Sequence, residues 1–285
     1  MDVPRIPVGK FGEAGVEWIT LHLAPLIHGF DAVVTGLNGA FLWLFGAAPP
    51  LGWIIAITLA AWHAAGRGTA FFALLGLLAI WNQGLWIATI TTLSLVLTST
   101  LLSLVIAIPI GIGIAESRSV RASLTPVLDF LQTMPRFVYL IPAVIILGID
   151  VVPAVFATLT LAVVPPIRMT AVGIAEVDRK LVEAGTAMGC SAWQLLLKVK
   201  LPLAIPAIML GINQCLMMSL SMVVIASLIG ASGLGDEILK AIAQLNAGDG
   251  IIAGLAVFVL AIVIDRITRG WATRIPQAGL AARGW

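Results

Sequence analysis

The densest group of charged side chains in this 285-residue chain lies at residues 176–202, EVDRKLVEAGTAMGCSAWQLLLKVKLP. Glu176, Asp178, Arg179, Lys180 and Glu183 make its first part soluble, and Leu181, Val182, Met188 and the run 195–197 supply apolar faces. Gly189 permits a tight turn between two short helices, so the stretch predicts a helical hairpin outside any bilayer. Small residues at 184, 185, 187 and 189 would let another protein approach the backbone closely. An ordinary amphipathic loop with a capping glycine explains the same residues. Bond-making constellations are missing: His22, His28 and His63 form no HExxH array, and Cys190 and Cys215 have no metal-like or redox-like spacing. No GxxxxGK[ST] loop occurs, so this chain is not expected to cradle ATP phosphates or to be an enzyme.

The elements that must position the hairpin are set by composition. The chain is 60% hydrophobic and 11% charged, with a mean hydropathy of +1.08, whereas soluble domains carry roughly one quarter charged residues. A formal charge of +2 spread along the chain argues against a nucleic-acid partner and leaves the lipid bilayer as the main surroundings. The N-terminus, with Asp2, Glu13, Glu17 and several prolines and glycines, lacks the layout of a cleaved signal peptide. Seven apolar stretches follow, at about 50–65, 68–84, 86–114, 125–149, 151–172, 201–229 and 251–270. A membrane core of roughly 30 Å takes about 20 helical residues, and only helices or closed barrels satisfy backbone polar groups there. The fold class is therefore an all-α integral membrane protein, a polytopic helical bundle. The third stretch exceeds that length and carries Pro109, Gly111 and Gly113, which predicts a tilt or kink.

Orientation follows from where the cations fall. With the N-terminus outside, twelve Lys or Arg residues from Arg67 to Arg283 gather on the inner side, against Arg5, Lys10 and Lys240 on the outer. The positive-inside rule then predicts N-out and C-in with seven crossings. Trp81 and Trp86 flank the second outer turn as interfacial candidates. Before the first span, Val16, Ile19, Leu23 and Ile27 repeat at helical spacing, suggesting an amphipathic segment, and 30–46 is more apolar.

Glu183-Ala184-Gly185, then Gly189, then Val199, Lys200, Leu201 and Pro202 resemble in register the EAA loop of bacterial ATP-binding-cassette importers, with Gly185 in place of the second Ala and Val199 in place of Ile. The segments QTMPRFVYLIPAV (132–144), VVPPIRMTAVGI (163–174) and NQCLMMSLSMVVIASLIGASGLG (213–235) look like permease subunits of glycine betaine, proline and choline importers. The resemblance implies the five-helix core of small-solute (type I) importer permeases over 86–270. Residues 1–48 would form an extracytoplasmic or interfacial region, 49–85 two peripheral spans, and 271–285 a cytoplasmic tail. It further implies location in the inner membrane and a loop of Glu183, Ala184, Gly185, Met188, Gly189, Leu201 and Pro202 that receives a separate ATPase. ATP and Mg would be bound by that partner, solute delivered by a separate binding protein, and a second permease copy would complete the path. The runner-up is a secondary transporter driven by an ion gradient, but mid-membrane charges are scarce and no inverted repeat is evident.

A quaternary ammonium is held by aromatic faces, which makes Phe137 and Tyr139, beside Gln132, Thr133 and Met134, candidates for a translocation path. Packing between helices explains the same aromatics. Asn213 and Gln214 must meet other helices or a water-filled cavity, and Met217 and Met218 offer adaptable surface for a gate or plain filling. Asp129 and Arg136, seven residues apart, share a helical face but stand too far apart for direct contact; Asp129 reads as structural. Gly230, Gly233 and Gly235 offer flexibility at the outer end of the sixth span, a candidate docking site and outer gate as well as an ordinary turn.

Overall fold

Proline placement decides how the apolar stretches become helices. In the computed structural model, which describes residues 16–18 and 20–274, every described element is helical. The chain passes through α1 (Ala24–Gly46), α2 (Pro50–Ala65), α3 (Arg67–Asn82), α4 (Trp86–Glu116) and α5 (Arg118–Thr133). A 3-10 turn (Arg136–Tyr139), α6 (Leu140–Leu147), α7 (Val151–Ala162), α8 (Val164–Ala175), α9 (Arg179–Ala187) and α10 (Ala192–Leu195) follow. A π-helical turn (Leu196–Lys200) then leads to α11 (Leu201–Ser221), α12 (Val223–Ser227), α13 (Leu234–Ala243) and α14 (Ala247–Arg274). Among the described residues, five units are long and apolar enough to cross a membrane: α1, α4, α7 with α8, α10 through α12, and α14.

The run 125–149, expected as one crossing, is instead part of two helical arms that meet at 107°. A residue before proline is pushed out of the helical region. Met134, before Pro135, accordingly has ψ 138°, and the helix capped at its start by Ser117 ends at Thr133. Within α5, Arg118, Arg121, Thr125, Asp129 and Gln132 recur at three- and four-residue steps, so one face is polar and only Leu128 is buried. Counted as one bent span, α5 and α6 raise the candidate crossings to six. By contrast α4 runs unbroken through Pro109 to Glu116.

The centre of the bundle is the α7–α8 span, pressed between α4 and α11. A Cβ on Gly111 of α4 would stand 2.8 Å from the Ile167 carbonyl, and one on Gly211 of α11 2.9 Å from Pro166 Cα, so both neighbours approach through missing side chains. On the far side α14 packs against α11 and against α2 and α3, a hairpin turned at Gly66. Each arm of that hairpin has 16 residues, about 24 Å of helix against a core of roughly 30 Å. Trp81 is exposed there, but Trp86 is buried in the core with Leu77 and Leu220, so its ring is packing rather than an interfacial anchor.

Although α1 is long and apolar enough to cross, its contacts run sideways. Phe30 meets Phe156 of α7, Asn38 accepts from the Ser94 hydroxyl of α4 at 2.7 Å, and Phe45 meets Trp53 of α2. Through these contacts α1 touches α7, α4 and α2 in turn along its length. The amphipathic repeat that includes Ile19 lies partly outside the described residues, as does the tail beyond Arg274.

Candidate functional site

The hairpin expected at 176–202 is built by caps. Asp178 accepts from the Lys180 N–H at 2.9 Å and opens α9. The helix closes in a Schellman arrangement: Cys190 N–H donates to Gly185 O at 3.1 Å and Gly189 N–H to Thr186 O at 2.9 Å. Gly189 sits there at φ +81°, where a side chain would be strained. Ser191 and Gln194 then form a reciprocal capping box that starts α10. Two short helices thus fold back on each other through one glycine.

Which small residues face outward is now resolved. Ala184, Ala187 and Gly189 are exposed, together with Glu183, but Gly185 is buried. A Cβ on Gly185 would stand 2.7 Å from Leu195 Cδ1, so this glycine serves the closure of the hairpin on itself, not the approach of a partner. The outward apolar side chains are Met188, 79% exposed, and Trp193, 66% exposed. Trp193 was not singled out from the sequence; its signal is a large aromatic placed among capping residues, where no core needs it. Aromatic and Met side chains are enriched where proteins meet.

The hairpin is continuous with a span. Leu201 N–H bonds to Leu196 O across the π turn, and α10, the turn, α11 and α12 together form one 36-residue unit. Leu201 is half-buried and packs beside Ile174, Leu196 and Ala204, while Pro202 is exposed at the first turn of α11. Lys200 forms an ion pair with Glu116 at the end of α4, 2.7 Å apart.

The candidate path residues separate into two groups. Met134, Tyr139 and Met218 meet at one apolar cluster, where the Tyr139 hydroxyl donates to Leu131 O. Gln132 and Phe137 are exposed beside them. Arg136 donates to the Ser221 hydroxyl at 2.8 Å, tying the bend to the end of α11, and Asp129 pairs with Arg168; each of these charges has a partner on another helix. Met217 and Asn213 lie elsewhere. Met217 packs with the cluster around Leu216 and Leu260, and Asn213, 4% exposed, donates to Asp265 at 3.0 Å and accepts from Thr268, both on α14.

At the opposite end the three candidate glycines are contact points. Gly230 lies against Ile149, Gly233 against Thr92, and a Cβ on Gly235 would stand 2.4 Å from Val223 O. The Leu234 N–H donates to the Thr92 hydroxyl at 2.8 Å. Next to them a polar cavity of about 290 Å³ is lined by Gln83, Glu237, Lys240, Gln244 and Asp249. Hydrogen bonds to Asp236 and then Glu237 push the Lys240 amine up to about 12, so it stays cationic at any physiological pH.

With this geometry in place the comparisons are decisive. Residues 107–276 match the family model described as binding-protein-dependent transport system inner membrane component. The chain belongs to this family. It is a non-catalytic, multi-pass inner-membrane permease subunit of a binding-protein-dependent ATP-binding-cassette system, and such a system implies an ATPase and a binding protein beside the permease. The permease is 43% identical to the glycine betaine/carnitine transport permease protein GbuB of Listeria monocytogenes over 95% of this chain and 97% of that one. It is 44% identical to the glycine betaine transport system permease protein OpuAB of Bacillus subtilis, over 94% and 95% of the two chains. To the glycine betaine/proline betaine permease ProW of Escherichia coli it is 42% identical, over 93% of this chain and 75% of that one. Among solved structures, a chain of the inward-facing MetNI methionine ABC transporter superposes on the permease with a TM-score of 0.62 at 20% identity, covering 67% of this chain and 95% of that one, which shows a shared fold.

Proposed function

We propose that this permease carries glycine betaine, choline, proline betaine or a related compatible solute into the cell by alternating access. The observation that carries the solute class is the likeness to glycine betaine permeases along nearly the whole chain. A separate ATPase, holding ATP and Mg, docks on the hairpin through Glu183, Ala184, Met188 and Gly189. Gly185 keeps the hairpin closed, and Leu201 and Pro202 begin the span that receives its motion. Support comes from the exposed Met188 and Trp193 and from the unbroken passage into α11.

The N-terminus is outside and the C-terminus inside, with a second copy of the chain completing the path. The excess of cations at the hairpin end supports this orientation. A binding protein docks at the other end, over Gly230, Gly233, Gly235 and the polar cavity beside α13. Gln132, Met134, Phe137 and Tyr139 line the path at the bend with Met218; Asn213 and Met217 contribute from the α14 side.

Reconstitution in liposomes with the cognate ATPase and binding protein tests the reading. Betaine uptake is expected only with ATP, the ATPase and the binding protein together. Uptake driven by an ion gradient without ATP would refute it.

A further inference from the structure

Arg168 is the only charged residue between 151 and 175, the innermost span of the bundle. It lies seven residues before the end of α8, about 10 Å along the helix from the end that leads into the hairpin. A charge at that depth is expensive unless it meets water, a partner or a ligand. Arg168 has a partner, the Asp129 carboxylate of α5, but the two side chains are 37% and 58% exposed, so the pair is open instead of sealed. The Arg168 Nε–H is buried and has no hydrogen-bond partner among the described residues.

The cavity itself has a volume of about 460 Å³ and lies between α4, α5 and α8. Arg121, Arg168 and Thr125 make its polar side; Leu128, Met169 and Val172 make its apolar side. Arg121 is held in place by donating its Nε–H to Ile114 O at 3.3 Å. The Arg168 guanidinium and an apolar wall line the cavity, and the Asp129 carboxylate paired with that guanidinium lies beside it; together they are the complement of a small zwitterion bearing N-methyl groups.

We propose that this cavity is a way station for the solute on the hairpin side of the membrane, with Arg168 taking the carboxylate and Asp129 the cationic end. The proposal rests on the reading of the chain as a betaine permease. A carboxylate accepts charge-assisted N–H bonds from a guanidinium, and it would engage the Arg168 nitrogen now given to Asp129. Asp129, released, faces the quaternary nitrogen, whose methyl groups lie against Leu128, Met169 and Val172. Entry exchanges the internal ion pair for two solute contacts, and departure restores it. Neither charge is left bare at any stage, so the site can fill and empty without a large barrier, as a transport site must.

The test uses the permease reconstituted with its ATPase and binding protein, reading glycine betaine uptake and ATP hydrolysis in the same vesicles. Arg168→Gln is expected to lower uptake about tenfold or more, the scale of a lost charge-assisted contact, while hydrolysis stimulated by the binding protein persists. The reversed pair, Asp129→Arg with Arg168→Asp, would restore uptake if the pair were a brace alone; such rescue, or unchanged uptake in Arg168→Gln, overturns the proposal. A second arm leaves the charges intact. In a Cys190→Ser background, maleimide labelling of Met169→Cys should be slowed by millimolar glycine betaine and not by choline, which lacks the carboxylate. Labelling indifferent to betaine overturns the way station even where ATP-driven uptake is normal, whereas a wild-type complex that fails to import betaine defeats the permease reading instead.

Discussion

Lys200 Nζ lies 2.7 Å from Glu116 Oε1, joining the last residue of the π turn to the last residue of α4. The hairpin is thereby fixed to two spans at once: to α11 through the backbone and to α4 through charge. A partly exposed pair of this kind contributes about 0–1 kcal/mol to stability. Lys200→Gln should therefore leave the thermal midpoint within about 2 °C of the wild type and lower uptake per ATP hydrolysed. Glu116→Lys with Lys200→Glu should recover it. Equal losses of stability and coupling would reduce the pair to a brace.

At Gly189 the constraint is dihedral and not spatial, because a Cβ there would have nothing within 4 Å. Asn, which tolerates the left-handed region, should keep most ATPase association in a detergent pull-down. Val should lose it, after a strain of roughly 1–2 kcal/mol. If both variants bind like the wild type, the turn does not govern docking.

Trp193 and Met188 should behave as contact residues. Trp193→Ala is expected to weaken ATPase binding by about 30-fold, the scale of an interface hot spot near 2 kcal/mol, with no change in the melting of the permease alone. Parallel loss of melting temperature would show that the ring packs within the hairpin instead.

Gly235 tests whether the segment 230–235 is flexible or packed. A Cβ there would collide with the Val223 carbonyl, so Gly235→Ala should cost about 1–3 kcal/mol and lower the yield of folded protein. Gly254→Ala, with open space around it, should not. A tolerated Gly235→Ala would mean that α12 and α13 part easily.

Asn213→Leu separates structure from path. Loss of the amide bridging α11 to Asp265 and Thr268 should cost about 0.6–2 kcal/mol in detergent melting. Uptake falling far beyond that loss would place Asn213 on the path; uptake tracking stability would make it a tie between helices.

Much of this architecture was legible in the sequence because its signals are local. The turn at Gly189 follows from one glycine among capping residues. The bend at Met134 was hidden because hydropathy averages over a window, and 125–149 is apolar on average. A finer signal was present: polar residues from Arg118 to Gln132 at helical spacing, then a proline. Inward and outward small residues could not be told apart either, since Gly185 differs from Ala184 only by one step of rotation, and that step places it against Leu195. Pairings such as Asp129 with Arg168 join distant helices, and no spacing along the chain announces them.

The π turn between hairpin and span has one further consequence. Each residue advances a helix by about 100°, so a turn that holds one residue more than its neighbours sets the angular phase of everything after it. The face that α11 presents to its neighbours is therefore clocked against the outward face of the hairpin. Deleting a single residue from Leu196–Lys200 would leave every helix intact and every exposed hairpin residue present, yet turn the hairpin and the span that follows it out of step.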